Sequence, residues 1–190
     1  MDRPKFSFVL IFVLNFGVSL SQNKEVIDSN SYTQNDGLFV VLRELSDKFP
    51  LLSMITSVGK TAGGSEIHAI HISDNVNVSE PGEPYVKFIA NIHGNEPTGR
   101  EILLSFSKFL LENYESGVTR QAVDSLNIII IPAINLDGFE EAVEGECDDS
   151  TGMLNKNDID INADFSLDSD EYQPETKVRI AFFKIKTFFI

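Results

Sequence analysis

A histidine and a glutamate three residues apart, His93 and Glu96, are the side chains of this sequence best suited to chemistry. They follow an apolar run over residues 86–92 and precede a helical pattern that begins near Gly99. Zinc favours an imidazole and a carboxylate presented from one side, and this spacing across a tight turn permits that arrangement. The pair therefore predicts part of a zinc site, and a catalytic site would also need a third protein ligand.

Composition limits both the size of the fold and the class of partner. The 190 residues suffice for one domain with a substantial core. A formal net charge of -14 argues against nucleic acid and against anionic membrane surfaces, because both attract basic patches. We therefore expect no nucleic-acid partner.

The N-terminus has the features of a secretory signal. Arg3 and Lys5 precede an apolar stretch over residues 6–14, and Ser21 provides a small residue for cleavage. A transmembrane anchor is the alternative, but the apolar stretch is short for a span. We predict a signal peptide over residues 1–21, no membrane span after its cleavage, and a secreted or lumenal protein.

Two residues are relevant to that oxidising compartment. Cys147 is the only cysteine, so it is left as a free thiol or in an intermolecular bond. Its acidic neighbours disfavour the thiolate, which indicates a surface thiol and not a nucleophile. Asn77 begins an Asn-Val-Ser sequence in a turn-rich stretch and is a predicted N-glycosylation site.

Hydrophobic periodicity predicts alternating helices and strands between residues 36 and 190, after a polar lead-in over residues 22–35. An α/β fold, with a mixed sheet flanked by helices, is the architecture that such alternation favours. The third and fourth strands are continuously apolar and are predicted to be central. Residues 188–190 are predicted to be the first half of a further buried strand, with a frayed apolar tail as the alternative. The predicted helices are 38–45, 102–111 and 176–186, and the predicted strands are 51–58, 66–72, 85–92 and 126–131.

Three segments occur in a characteristic order. They are the turn with His93 and Glu96, the stretch Pro132–Glu140, and the stretch Asp160–Phe165. In this order the sequence resembles the zinc metallocarboxypeptidases, particularly the regulatory group that includes carboxypeptidases D, E, M and N. The likeness runs from about residue 36 to the end of the chain. It implies the N-terminal part of a catalytic domain, a truncated metallocarboxypeptidase-like sandwich.

The resemblance also implies roles for individual residues. Zinc would be bound by His93, Glu96 and a later histidine, and a later glutamate would be the general base for attack on the last peptide bond. Asp160 matches an aspartate that accepts a hydrogen bond from the first zinc histidine and fixes its tautomer. Asn162 matches an asparagine that helps to hold the substrate's C-terminal carboxylate. The implied function is removal of C-terminal residues from peptides or proteins.

The sequence departs from the family pattern at the positions that handle substrate. Ala163 stands where the family has an arginine that grips the terminal carboxylate, and Met153 where an arginine polarises the scissile carbonyl. These losses remove a strong charge-assisted contact and an oxyanion stabiliser. The expected third ligand and general base would lie beyond Ile190. We therefore predict an incomplete zinc site and an inactive chain, or alternatively a non-catalytic domain that binds a peptide or protein partner.

Other metal sites are less well supported by the sequence. His68 and His71 are the only other histidines, and an ordinary strand position accounts for both. The acidic stretch from Asp158 superficially resembles the start of a calcium loop, with oxygens at alternate positions. However, Ala163 replaces the turn glycine and Ser169 replaces the final glutamate. A solvated acidic loop is the favoured interpretation.

Overall fold

The structure is a computed structural model that describes residues 31–78, 80–146, 150–165 and 171–184. The described residues form five helices and four strands, and none of these helices is long and apolar enough to cross a membrane. In chain order the elements are α1 (Asn35–Lys48), β1 (Ser53–Lys60), β2 (Glu66–Ile72), β3 (Tyr85–Ile89), α2 (Thr98–Glu112), α3 (Gly117–Val123), β4 (Asn127–Ile131), α4 (Leu136–Glu141) and α5 (Pro174–Lys184).

The strands form one mixed sheet in the order β1-β2-β4-β3, which confirms the predicted architecture. The β1–β2 hairpin and the β2–β4 pair are antiparallel, whereas β3 runs parallel to β4. All five residues of β4 are buried, as expected of a continuously apolar strand covered on both faces.

The third predicted strand is shorter and less central than its sequence indicates. Within the described sheet β3 lies at an edge, and its five residues are only partly buried. It ends at Ile89 and not at Ile92, because Asn91 takes a left-handed conformation with φ of 52°. The prediction of a central strand over residues 85–92 is therefore wrong for the described sheet.

Helices cover both faces of the sheet. Phe39 of α1 stacks on His68 of β2 with ring centroids 4.4 Å apart, while α2 contacts β2 and β4. On the other face α5 packs over β1, and Val178 and Phe182 help to line a cavity of about 300 Å³ with His71. Three layers thus enclose the isoleucines of β4.

Two buried carboxylates hold the β1–β2 turn. Asp137 accepts from the Thr61 hydroxyl at 2.8 Å and from the Gly63 amide at 2.7 Å. Glu175, which is fully buried, accepts from the Ala62 amide at 2.7 Å. Charge-assisted hydrogen bonds of this kind are stronger than neutral ones, so these acids fix the hairpin to α4 and α5.

Several sequence predictions concern residues outside or at the margin of this description. Asn77 is exposed in the turn after β2, so its amide is accessible, and glycosylation there stays a prediction. The signal peptide over residues 1–21, Cys147 and the apolar residues 188–190 lie outside the described residues.

Candidate metal centre

Asn91 shapes the turn that carries the candidate ligands. Its side-chain amide donates to the carbonyl of His93 at 2.7 Å and to that of Gly94 at 3.0 Å. Asparagine suits this position because it tolerates the left-handed conformation and bonds its own backbone a few residues on. The Glu96 amide then donates to the His93 carbonyl at 3.1 Å, and α2 begins two residues later. The turn is therefore tight enough to bring both side chains to one side.

The turn is fixed against the chain that follows β4. The side-chain NH₂ of Asn135 donates to the carbonyl of Ile92 at 3.1 Å and to the carbonyls of Met153 and Leu154 at 3.2 Å each. The backbone N–H of Asn95 donates to the carbonyl of Gly152 at 3.1 Å. These bonds join three segments that are distant in sequence and place the backbone of residue 153 beside the candidate site.

The structure brings His93, Glu96 and Asp160 together. His93 Nδ1 lies 3.4 Å from Glu96 Oε2, and His93 Nε2 lies 3.2 Å from Asp160 Oδ1. The His93 side chain is only 16% exposed, whereas that of Glu96 is 72% exposed. The histidine thus lies between two carboxylates, that of Asp160, which is partly buried, and that of Glu96, which is open to solvent.

Asp160 determines which nitrogen of His93 carries the proton. Partial burial raises the pKa of Asp160, but hydrogen bonds from the backbone N–H of Asn162 and from the His93 ring outweigh burial and hold that pKa below its ordinary value. The backbone N–H of Asn162 donates to Asp160 Oδ1 at 2.8 Å. An ionised carboxylate can only accept, so Nε2 of His93 is the donor to it.

The remaining nitrogen, Nδ1 of His93, then presents a lone pair to a carboxylate oxygen. At 3.4 Å these two acceptors can share a positive species, either a proton on Nδ1 or a metal ion. Two ligands each about 2.1 Å from a tetrahedral zinc ion lie about 3.4 Å apart. The separation of His93 Nδ1 and Glu96 Oε2 therefore fits one edge of a zinc coordination shell.

A third ligand is not found within residues 31–78, 80–146, 150–165 and 171–184, where no three His, Cys, Asp or Glu side chains are arranged to hold a metal ion. His71 Nε2 is bonded to the Thr56 hydroxyl at 2.8 Å, and His68 stacks on α1. Asp164, part of the calcium-loop alternative, accepts from the backbone N–H of Gln173 at 2.7 Å. These groups are used in packing and turn closure.

The turn after Ile161 carries the predicted substrate-binding residue. Asn162 and Ala163 are both exposed there, next to Asp160. Sequence reasoning missed Arg179 of α5, whose Nη1 donates to the Ile161 carbonyl at 2.7 Å. The sequence carries no signal for this contact, because nothing in residues 174–184 specifies the Ile161 carbonyl as a partner.

Comparison with known proteins relates this chain to a family. The zinc carboxypeptidase family matches residues 39–180. Carboxypeptidase D of Mus musculus is 38% identical over 165 residues, which is 86% of this chain and 12% of that protein. The carboxypeptidase N catalytic chain of Homo sapiens is 33% identical over 136 residues, 68% of this chain and 30% of that protein. The chain therefore spans only a small part of the length of these relatives.

Solved structures show the same fold at low identity. The carboxypeptidase A from Helicoverpa armigera has a TM-score of 0.68 at 19% identity, covering 80% of this chain and 42% of that chain. Bovine thrombin-activatable fibrinolysis inhibitor, solved with a tick carboxypeptidase inhibitor, has a TM-score of 0.64 at 14% identity. The match covers 80% of this chain and 56% of that chain. The sheet and its flanking helices are therefore those of a partial carboxypeptidase domain.

Proposed function

This chain belongs to the zinc carboxypeptidase family, and we propose that it binds zinc through His93 and Glu96 and holds peptide C-termini without efficient cleavage. The observation that carries the proposal is the pair of facing acceptors, His93 Nδ1 and Glu96 Oε2, 3.4 Å apart. A bound zinc ion would supply a Lewis acid at this position. Two protein ligands alone hold zinc weakly, because structural and catalytic sites use three or four.

Each residue of the centre contributes a separate property. Asp160 keeps the proton on Nε2 of His93 and so leaves Nδ1 free to bind a cation. Glu96 contributes a negative charge at the solvent-exposed side, where a metal ion can enter. The bonds that Asn91 makes inside the turn hold both ligands in place before any ion arrives.

The residues beside the centre favour binding over hydrolysis. Met153 offers no hydrogen-bond donor on its side chain, so it cannot stabilise the negative oxygen that develops when a peptide carbonyl is attacked. Ala163 cannot grip a carboxylate. Asn162 retains an amide group that can donate to one. Recognition of a C-terminal carboxylate with little turnover is the function that this combination supports.

Zinc affinity should depend on Asp160. Replacing it (Asp160→Asn) should weaken zinc binding by about 10- to 100-fold, because the hydrogen bond that fixes the His93 tautomer loses its charge. Titration calorimetry of the full chain with zinc alone measures this effect. Asp158→Asn is the matched control, since Asp158 is exposed in the same segment and its left-handed backbone, φ of 59°, suits asparagine. Equal zinc affinity in the two variants would contradict the assignment.

Peptide binding should depend on a free C-terminal carboxylate. A short peptide ending in lysine should bind about tenfold more tightly as the free acid than as the C-terminal amide, because one charge-assisted hydrogen bond to Asn162 is lost. Fluorescence anisotropy measures both affinities, and mass spectrometry of the same mixtures detects cleavage. We expect no release of the last residue in the presence of zinc. Stoichiometric zinc together with steady turnover would overturn the proposal of a non-catalytic chain.

A further inference from the structure

Arg179 reaches from α5 to the turn that carries Asn162. Its Nη1 donates to the Ile161 carbonyl at 2.7 Å, and its guanidinium carbon lies 4.5 Å from the centre of the Phe165 ring. The residue is only 8% exposed, and Nε has no hydrogen-bond partner among the described residues. A nearly buried cation is thus directed at one short turn.

A buried guanidinium is costly unless a negative group compensates it. Burial lowers the pKa of Arg179, and the nearby charge of Asp160 opposes that shift. Arginine nevertheless remains protonated at neutral pH. The charge on Arg179 is therefore positive and is located directly behind the turn formed by residues 160–165.

The contact with Asn162 has a defined direction. Arg179 Nη2 lies 3.5 Å from Asn162 Oδ1, a long contact at the limit of hydrogen bonding. A guanidinium has donors only, so the amide oxygen of Asn162 must face it and the NH₂ group must face away. That NH₂ group is the donor that a peptide carboxylate requires.

We propose that Arg179 is a positioning residue for carboxylate recognition, which orients the Asn162 amide and provides the positive charge that Ala163 lacks. The inference rests on the proposed function, because it concerns the same carboxylate site. It assigns to α5 a role that the sequence pattern around residues 160–165 does not show. The cation acts from behind the turn through Asn162, without contacting the ligand itself.

The test uses one peptide ending in lysine, as free acid and as amide, with the full chain. Arg179→Met should reduce the acid-over-amide preference about tenfold, because both the charge and the oriented donor are lost. Arg179→Lys keeps the positive charge but lacks the planar guanidinium, so the acid-over-amide preference should fall by only about threefold. Lys177→Met is the matched control, because it removes the same charge from an exposed position of α5 and should leave the preference unchanged.

A rescue separates this role from a merely structural one. Adding Ala163→Arg to Arg179→Met should restore the acid preference, because the charge returns beside Asn162. The inference would be overturned if the double variant still lacked the acid-over-amide preference. This holds provided that the double variant unfolds at the same urea concentration as Arg179→Met. If Arg179→Met does not fold, Arg179→Lys provides the test, and the inference would be overturned if that variant preferred the acid over the amide as strongly as the wild type does.

Failure of the inference and failure of the proposed function give different results. A wild-type chain that prefers the acid while Arg179→Met keeps that preference overturns the role of Arg179 and leaves the proposed function standing. A wild-type chain that binds acid and amide equally overturns both.

Discussion

Replacing Gly94 by alanine should lower the free energy of unfolding by more than about 3 kcal/mol and should abolish zinc binding. A Cβ atom at this position would lie 2.1 Å from the carbonyl carbon of Gly138, 2.2 Å from the Phe139 nitrogen and 2.5 Å from the Gly152 oxygen. All three are backbone atoms, so no side chain can rotate away to make room. The turn would have to move off its support, and His93 and Glu96 would move with it.

Gly117→Ala is the matched control for Gly94→Ala. Gly117 lies at the start of α3, and a Cβ atom there meets nothing within 4 Å. Alanine in a helix is favoured over glycine by up to about 1 kcal/mol, so this change should be neutral or slightly stabilising. Urea unfolding followed by circular dichroism measures both variants, and zinc titration follows at low denaturant. Unfolding midpoints within experimental error of each other would show that the turn at Gly94 is not closely packed.

This dependence on Gly94 means that the candidate centre is built by long-range packing and not by its ligands alone. The turn contacts the start of α4 and the segment from residue 152, which are far from it in sequence. Preorganised ligands bind a metal ion without first losing conformational freedom. The packing around Gly94 therefore serves the same purpose as the hydrogen bonds of Asn91.

The parts of the fold that the sequence predicts are those with a local pattern. β4 is recognisable from its consecutive isoleucines, and α1 and α2 from their 3.6-residue periodicity. The short helices α3 and α4 lack such a pattern. α4 depends on Asn135, whose side-chain oxygen accepts from the Gly138 backbone N–H at 2.9 Å, and on burial of its first four residues. The edge position of β3 depends on which strands pair, which periodicity does not encode.

The candidate site follows the same division. His93, Glu96 and Asp160 were identifiable because each lies in a segment with a characteristic order, although their metal-binding roles stay predictions. Arg179 was missed because its contacts depend on how α5 sits against a turn 17 or 18 residues earlier. The acids Asp137 and Glu175 likewise support the β1–β2 turn through contacts that no local sequence pattern predicts.

Acidification should destabilise the protein through His71 more than through His68. Burial, together with the positive charge of Lys87, lowers the pKa of His71 from 6.5 to about 4. On acidification His71 is therefore protonated near pH 6.5 in the unfolded chain but only near pH 4 in the folded chain. The stabilisation is complete at a pH above the pKa of His71 in the unfolded chain. It is lost as the pH falls from that pKa towards the pKa in the folded chain. From about pH 7.5 to about pH 5 the loss from this residue alone should be about 2 kcal/mol.

The two histidines of β2 provide the comparison that isolates this effect, since carboxylates also titrate in acid. In His71→Gln the difference in unfolding free energy between about pH 7.5 and about pH 5 should shrink by about 2 kcal/mol. His68→Gln should leave most of that difference in place, because burial lowers the pKa of His68 while the charge of Glu66 opposes the shift. Urea unfolding at both pH values measures the differences. If His71→Gln keeps the full wild-type pH dependence, the imidazole between β1 and α5 is hydrated and accepts its proton freely, so the α5 layer does not exclude water from that face of the sheet.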